Sequence, residues 1–149
     1  RGEAIPLYEN RCTIDDKMVD SFGIPVLKFN VKWTDNEIKQ AKHMKETFKE
    51  VMHNMGAVIT WGGDDDEKND WGLSKPGEII HEAGTVRMGN DPKKSALNKH
   101  NQAHDCKNLF VLDGGAFVSQ ADKNITWTIL ALSMRASDYI IDELKKNNL

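Results

Sequence analysis

An α+β fold is what the sequence predicts, and three stretches predict it. From Pro25 the residues Leu27, Phe29, Val31 and Trp33 alternate with Lys28, Asn30 and Lys32, the period-two pattern of a strand with one wet face. Thr34 follows with Glu37 three residues on, a capping box that announces a helix. Ile129, Leu132, Ala136, Ile140 and Leu144 then recur at helical spacing near the end of the chain, widened by Met134 and Tyr139. Strands and helices do not alternate one for one, so the class is α+β rather than a doubly wound sheet.

Taken in order, residues 11–14 make a plausible short strand, while Asp15, Asp16 and Ser21-Phe22-Gly23 read as turns. The capped helix carries Ile38, Ala41, Met44, Phe48, Val51, Met52 and Met55 on one face, and Gly56 supplies its stop. We read that Met-rich stripe as core, since flexible thioethers fill irregular gaps. His43 and His53 sit off the stripe and are expected in solvent. Residues 57–61 read as a short buried strand, residues 62–76 as a loop, residues 78–80 as an apolar lead-in strand and residues 108–112 as a strand ending in an acid and a glycine turn. Residues 126–144 are the strongest helix, closed by the basic and polar tail Lys145-Lys146-Asn147-Asn148.

Composition excludes several function classes. The 149 residues suit one ordinary domain, and 29% of them are charged with a net charge of −3. Basic residues are scattered among acids, so there is no phosphate-tracking stripe and no nucleic-acid partner is expected. No run reaches the length of a membrane helix. Cys12 and Cys106 make neither a disulfide framework nor a CxxC site. The acidic run 64–67 lacks the alternate-ligand spacing and central glycine of a calcium loop. His100 and His104 are four apart, but Asn98, Asn101 and Asp105 oppose a helix there and no third ligand stands out, so no metal is expected. The chain opens with Arg1-Gly2 rather than methionine, and we expect residues to precede it.

Chemistry concentrates in HEAGTVRMG at residues 81–89. A lone histidine is most simply a buried group satisfied by a carbonyl. His81 has more suggestive company: Gly84 allows a close turn after the lead-in strand and Arg87 supplies a fixed cation, so His81 is a candidate general base. Asn124 reads either as the N-cap of the last helix or as part of a ligand site at that helix end, where N–H groups favour an anion. Asp113-Gly114 reads either as a tight turn or as a cofactor contact at a strand's C-terminal end.

The stretch from His81 to Leu144 resembles the C-terminal signature of the glucose–methanol–choline (GMC) flavoprotein oxidoreductases. HEAGTVRMG, DPKKSALN at 91–98, NLFVLDGGAF at 108–117 and the N-x-T start of the last helix carry the resemblance, in that order. It extends more weakly back through residues 25–61, and its nearest flavour is that of the sugar and gluconate dehydrogenases. The resemblance implies part of a GMC substrate-binding domain, an antiparallel sheet with a helix, over residues 1–90. It implies a strand-turn-helix segment over residues 91–149 that completes an FAD-binding α/β domain.

It further implies FAD as cofactor, an alcohol or sugar as substrate, and His81 as the base that takes the hydroxyl proton while hydride passes to flavin N5. Asn124 falls at the second catalytic position, which in the family is histidine or asparagine. Asp113, Gly114, Ile125 and Thr126 fall where the chain touches the cofactor.

Two departures stand out. The family usually has proline where this chain has Ile125, a substitution compatible with a first helical position. No GxGxxG fingerprint is present, so most of the FAD-binding domain is expected on another stretch or another chain, as an N-terminal half. If this chain works alone, the alternative is a non-catalytic α+β binding domain on the same scaffold. The electron acceptor and the choice between periplasm and cytoplasm stay open.

Overall fold

A computed structural model describes residues 2–60, 68, 70–76, 78, 82–120 and 122–149. Among them the fold is α+β: strands β1 (Arg11–Val19) and β2 (Pro25–Asn30) form an antiparallel pair, and α1 (Asp35–Asn54) and α2 (Thr126–Lys145) are long helices. The chain forms two compact units, one built from Glu3–Asn30 and His81–Leu149, the other from Val31–Ile80.

In the first unit, Arg11 pairs with Asn30 and Ile14 with Leu27, and the register shifts between Ile14 and Val19. Asp15 explains the shift. Its Oδ1 accepts from the Lys17 and Met18 N–H groups at 2.8 and 2.9 Å, bonds that also hold its carboxyl below the ordinary carboxylate pKa. The acidic pair expected to end the strand instead bulges it, and β1 runs on to Val19. Asp20 closes the hairpin, its Oδ1 accepting from Phe22 and Ile24 at 2.8 and 3.0 Å. The expected alternation holds only as far as Asn30, with Leu27 and Phe29 on one face opposite Ile14 and Cys12, and Val31 and Trp33 fall outside the strand. That face is not buried: Leu27 and Phe29 are each 59% exposed.

The core of this unit is small and centres on Leu97, Ala116, Phe117 and Ala136. Residues 108–112 are not a regular strand. A single bridge joins Gln102 to Phe110, because Asn101 takes over the pairing from a left-handed backbone at φ 61°. Its carbonyl accepts from Val111 N–H at 3.0 Å, its amide Nδ2 donates back to the Val111 carbonyl at 3.0 Å, and its Oδ1 accepts from Arg135 at 3.3 Å. Asn101 is fully buried. Asn101→Ala therefore strands the Val111 carbonyl and forces alanine into a conformation it disfavours. It is expected to cost about 2–3 kcal/mol of stability, read as a lower urea midpoint with unchanged slope. A midpoint within error of the parent would mean that this side chain does not organise the segment.

His100 and His104 lie off any helix, as expected. His100 stacks on Tyr139 with centroids 3.9 Å apart, and burial, then Lys99 and Arg135, lower its pKa. His104 Nε2 lies 3.1 Å from Ser95 Oγ and 3.2 Å from the Gly89 carbonyl. Among the described residues no group of three metal-ligating side chains occurs, and no helix is long and apolar enough to cross a membrane.

In the second unit α1 starts and stops as its sequence requires. Thr34 and Glu37 make the reciprocal capping box. At the other end Gly56 N–H donates to the His53 carbonyl and Ala57 N–H to the Met52 carbonyl, with Gly56 at φ +72°, a Schellman closure. Trp33 Nε1 donates to the Ser74 carbonyl at 2.9 Å, and Lys42 lies over the Trp71 ring. Two expectations need correcting. The Met-rich stripe is not a closed core, for Phe48, Val51, Met52 and Met55 are all exposed and Met55 is 75% so. Residues 57–60 are not a strand, since nothing described pairs with them. Trp61, the acidic run 64–67 and residues 79–80 of the lead-in strand lie outside the described residues.

Candidate active site

The DGGAF turn is the scaffold of the site. Asp113 caps a 3-10 turn at Gly114–Ala116, its Oδ1 accepting from Gly115 N–H at 2.7 Å. Residues 84–88 lie along this turn. Gly84, Val86 and Met88 donate their N–H groups to the carbonyls of Gly114, Gly115 and Ala116 at 3.1, 3.0 and 3.0 Å. The contact is close enough to demand glycine. A Cβ on Gly115 would meet Asp113 Oδ1 and Thr85 Oγ1 at 2.8 Å, and Gly84 has φ +82° with the Phe117 carbonyl 3.1 Å from where its Cβ would stand.

Arg87 takes part in this packing. Its Nε donates to the Lys94 carbonyl at 3.0 Å, and its own carbonyl accepts from Ala96 and Leu97. The DPKKSALN segment is thereby folded back onto HEAGTVRMG.

The last helix reaches the same turn. A Cβ on Gly114 would lie 3.3 Å from Ile125 Cδ1, 3.7 Å from Ile129 Cδ1 and 3.6 Å from the Glu82 carbonyl. Ser133, which sequence reasoning passed over, ties the helix down: its hydroxyl donates to the Leu112 carbonyl at 2.9 Å. The signal was a hydroxyl on the otherwise apolar inner face. Glu82, Gly114 and Ile125 therefore meet, although they come from three separate motifs.

His81, the proposed base, lies outside the described residues; Glu82 is its chain neighbour. Asp113 is exposed, Gly114 buried, Ile125 half-buried, and Asn124 and Thr126 exposed. The helix start differs from expectation. Ile125 is the N-cap, with φ −89° and ψ −8° and no side-chain bond, and Thr126 is the first helical residue. Asn124 is therefore one position ahead of the assigned cap. The rationale for proline at a first helical position does not apply to Ile125. Ile125 itself offers the helix no side-chain cap, and a helix N-terminus favours an anionic group. The sequence holds no GxGxxG run that could cradle a dinucleotide's phosphates.

The chain is 38% identical over 139 residues to a 2-methyl-1,2-propanediol dehydrogenase from Mycolicibacterium austroafricanum, a match covering 93% of this chain and 24% of that protein. It is 28% identical to a gluconate 2-dehydrogenase flavoprotein from Pantoea cypripedii, over 93% of this chain and 22% of that one. It is also 28% identical to the fructose dehydrogenase large subunit from Gluconobacter japonicus, over 97% and 25%. The chain thus spans about a quarter of the length of these relatives. The C-terminal profile of the GMC oxidoreductases matches residues 6–133, and the chain belongs to the GMC oxidoreductase family.

Proposed function

We propose that this chain is the C-terminal portion of an FAD-dependent oxidoreductase that oxidises an alcohol or sugar hydroxyl. One observation carries the reading: Glu82, Gly114 and Ile125 converge on the DGGAF turn, each next in sequence to a proposed site residue, His81, Asp113 and Asn124. Names among the relatives, a diol dehydrogenase, a gluconate dehydrogenase and a fructose dehydrogenase, support the substrate class. FAD, when bound, supplies the acceptor for the hydride that leaves the carbon bearing the hydroxyl.

The chain's own residues then divide the remaining work. His81 takes the hydroxyl proton, as an imidazole titrating near neutrality is suited to do. Asn124 donates its amide N–H to the substrate oxygen and holds it for His81. Asp113 and Gly114 bring the chain against the cofactor, while Ile125 and Thr126 set the helix N-terminus toward it, where partial positive charge favours electron gain. Residues 1–90 belong to the substrate-binding side and residues 91–149 return to the FAD-binding side. The phosphate-binding half comes from the same gene product or from another chain.

The test has two arms. The 149-residue chain alone is expected to bind FAD more weakly than micromolar, measured by quenching of flavin fluorescence. Joined to its flavin-binding half, it is expected to bleach flavin absorbance anaerobically with at least one member of a panel of diols, aldonic acids and ketoses. A flavin that stays bound and oxidised across the whole panel would favour the non-catalytic scaffold.

A further inference from the structure

α2 meets the DGGAF turn along one row of side chains, Ile125, Ile129 and Ser133, each four residues from the last. Ile125 Cδ1 and Ile129 Cδ1 lie 3.3 and 3.7 Å from where a Gly114 Cβ would stand. Ser133, one turn further on, reaches the same segment two residues earlier. Its hydroxyl lies 2.9 Å from the Leu112 carbonyl and 2.9 Å from the Ile129 carbonyl. All three side chains are half-buried. Met134 and Leu144 are instead 70% and 54% exposed, which corrects the expectation that they belong to this inner face.

The two acceptors of Ser133 differ in kind. A serine inside a helix commonly returns its proton to the carbonyl four residues back, a bond within the helix alone. Leu112 is 21 residues away and offers an acceptor outside the helix. The isoleucine contacts hold helix and turn together, but apolar contact is non-directional and tolerates sliding along the helix axis. A hydrogen bond depends on distance and angle, and this one ties a fixed point of α2 to the carbonyl next to Asp113. Val111 is held separately by Asn101, whose Oδ1 accepts from Arg135. The segment therefore keeps an anchor on α2 without the serine.

We propose that Ser133 is a positioning residue for the redox chemistry: its bond to Leu112 sets the axial register of α2 on the DGGAF turn. That register places the helix start, Ile125 and Thr126, relative to Asp113 and Gly114. The proposal rests on the oxidoreductase reading above and adds a residue that acts through others. Ser133 stands roughly 10 Å along the axis from Thr126, at 1.5 Å per residue, and touches none of the proposed site residues' ligands itself. A helix that slips carries the partial positive charge of its N-terminus away from the cofactor edge, which makes electron gain harder.

The experiment joins the 149-residue chain to its flavin-binding half and compares Ser133→Ala, which deletes the donor, with Ser133→Thr, which keeps one. The flavin midpoint potential is read by redox titration. The limiting rate of anaerobic flavin reduction is read by stopped flow over a range of substrate concentrations. Ser133→Ala is expected to lower the potential and to slow the limiting rate roughly two- to tenfold, the bias one hydrogen bond gives a register. The half-saturating substrate concentration should stay unchanged, and Ser133→Thr should restore both potential and rate. In the 149-residue chain alone, the carbonyl carbon resonance of Leu112 should move in Ser133→Ala and return in Ser133→Thr. Ser133→Cys has serine's shape but a weak donor; it should behave as the alanine variant does, and replaces it if alanine prevents folding.

A Leu112 resonance that stays put, a parent-like potential and rate without the hydroxyl, an equal loss in Ser133→Thr, or a change confined to the half-saturating concentration would each overturn the proposal. The oxidoreductase reading is judged on the parent alone. A bound flavin that no substrate reduces sinks that reading, while the midpoint potential, which needs no substrate, still decides Ser133. A parent that binds no flavin overturns both.

Discussion

Replacing His81 with alanine in the complete enzyme is expected to slow substrate-driven flavin reduction by roughly 10²–10⁴, the range a positioned general base contributes. FAD binding should hold, because the contacts proposed for the cofactor come from residues 113–114 and 125–126. Gly84, Val86 and Met88 form a ladder of N–H donors to the DGGAF turn. That ladder holds residues 84–88, and the Glu82 carbonyl lies 3.6 Å from where a Gly114 Cβ would stand.

A base works only when neutral, so the parent's reduction rate should rise with pH as the imidazole loses its proton. The alanine variant should lose that limb of the profile, and imidazole added to the buffer should recover part of the rate. Single-turnover reduction close to the parent's would remove His81 from the mechanism.

What could be read from sequence follows a physical line. Local rules worked where the deciding atoms are close in sequence. The Thr34–Glu37 capping box, the Gly56 closure of α1 and the span of α2 all involve partners within about one turn. They failed where a distant partner decides. Residues 108–112 look like a strand, yet buried Asn101 meets their backbone groups from an irregular loop, and no periodic signal encodes that. Asp15 and Asp16 look like a turn, but β2 is paired alongside, and Asp15 answers with a bulge instead.

Burial was the hardest property to read. The apolar stripes of α1 and β2 were legible as stripes, but covering them takes surface that the described residues do not provide. In the site, the order of motifs was legible and the convergence of Glu82, Gly114 and Ile125 was not. That convergence rests on the Ile125 Cδ1 and the Glu82 carbonyl lying 3.3 and 3.6 Å from where a Gly114 Cβ would stand.

Asn124→Asp separates chemistry from local structure at the start of α2. Aspartate caps a helix about as well as asparagine, so the substitution keeps whatever capping this position provides. A carboxylate just ahead of a helix N-terminus interacts favourably with the dipole, by about 0.3–1 kcal/mol. The variant should therefore melt at or slightly above the parent temperature. Chemistry should move the other way. The amide N–H proposed to hold the substrate oxygen is lost, and losing one such donor costs about 10²–10³ in rate.

The new negative charge also stands near a cofactor that must gain electrons, so the flavin midpoint potential should fall. Asn124→His supplies the control, since the family resemblance allows histidine or asparagine at this position; it should retain a donor and much of the parent's rate. Stopped-flow reduction, a redox titration and thermal melting on the same preparations give the three readouts. If Asn124→Asp melts, reduces and titrates like the parent, Asn124 is a loop residue ahead of the helix, and the substrate oxygen is held by some other group.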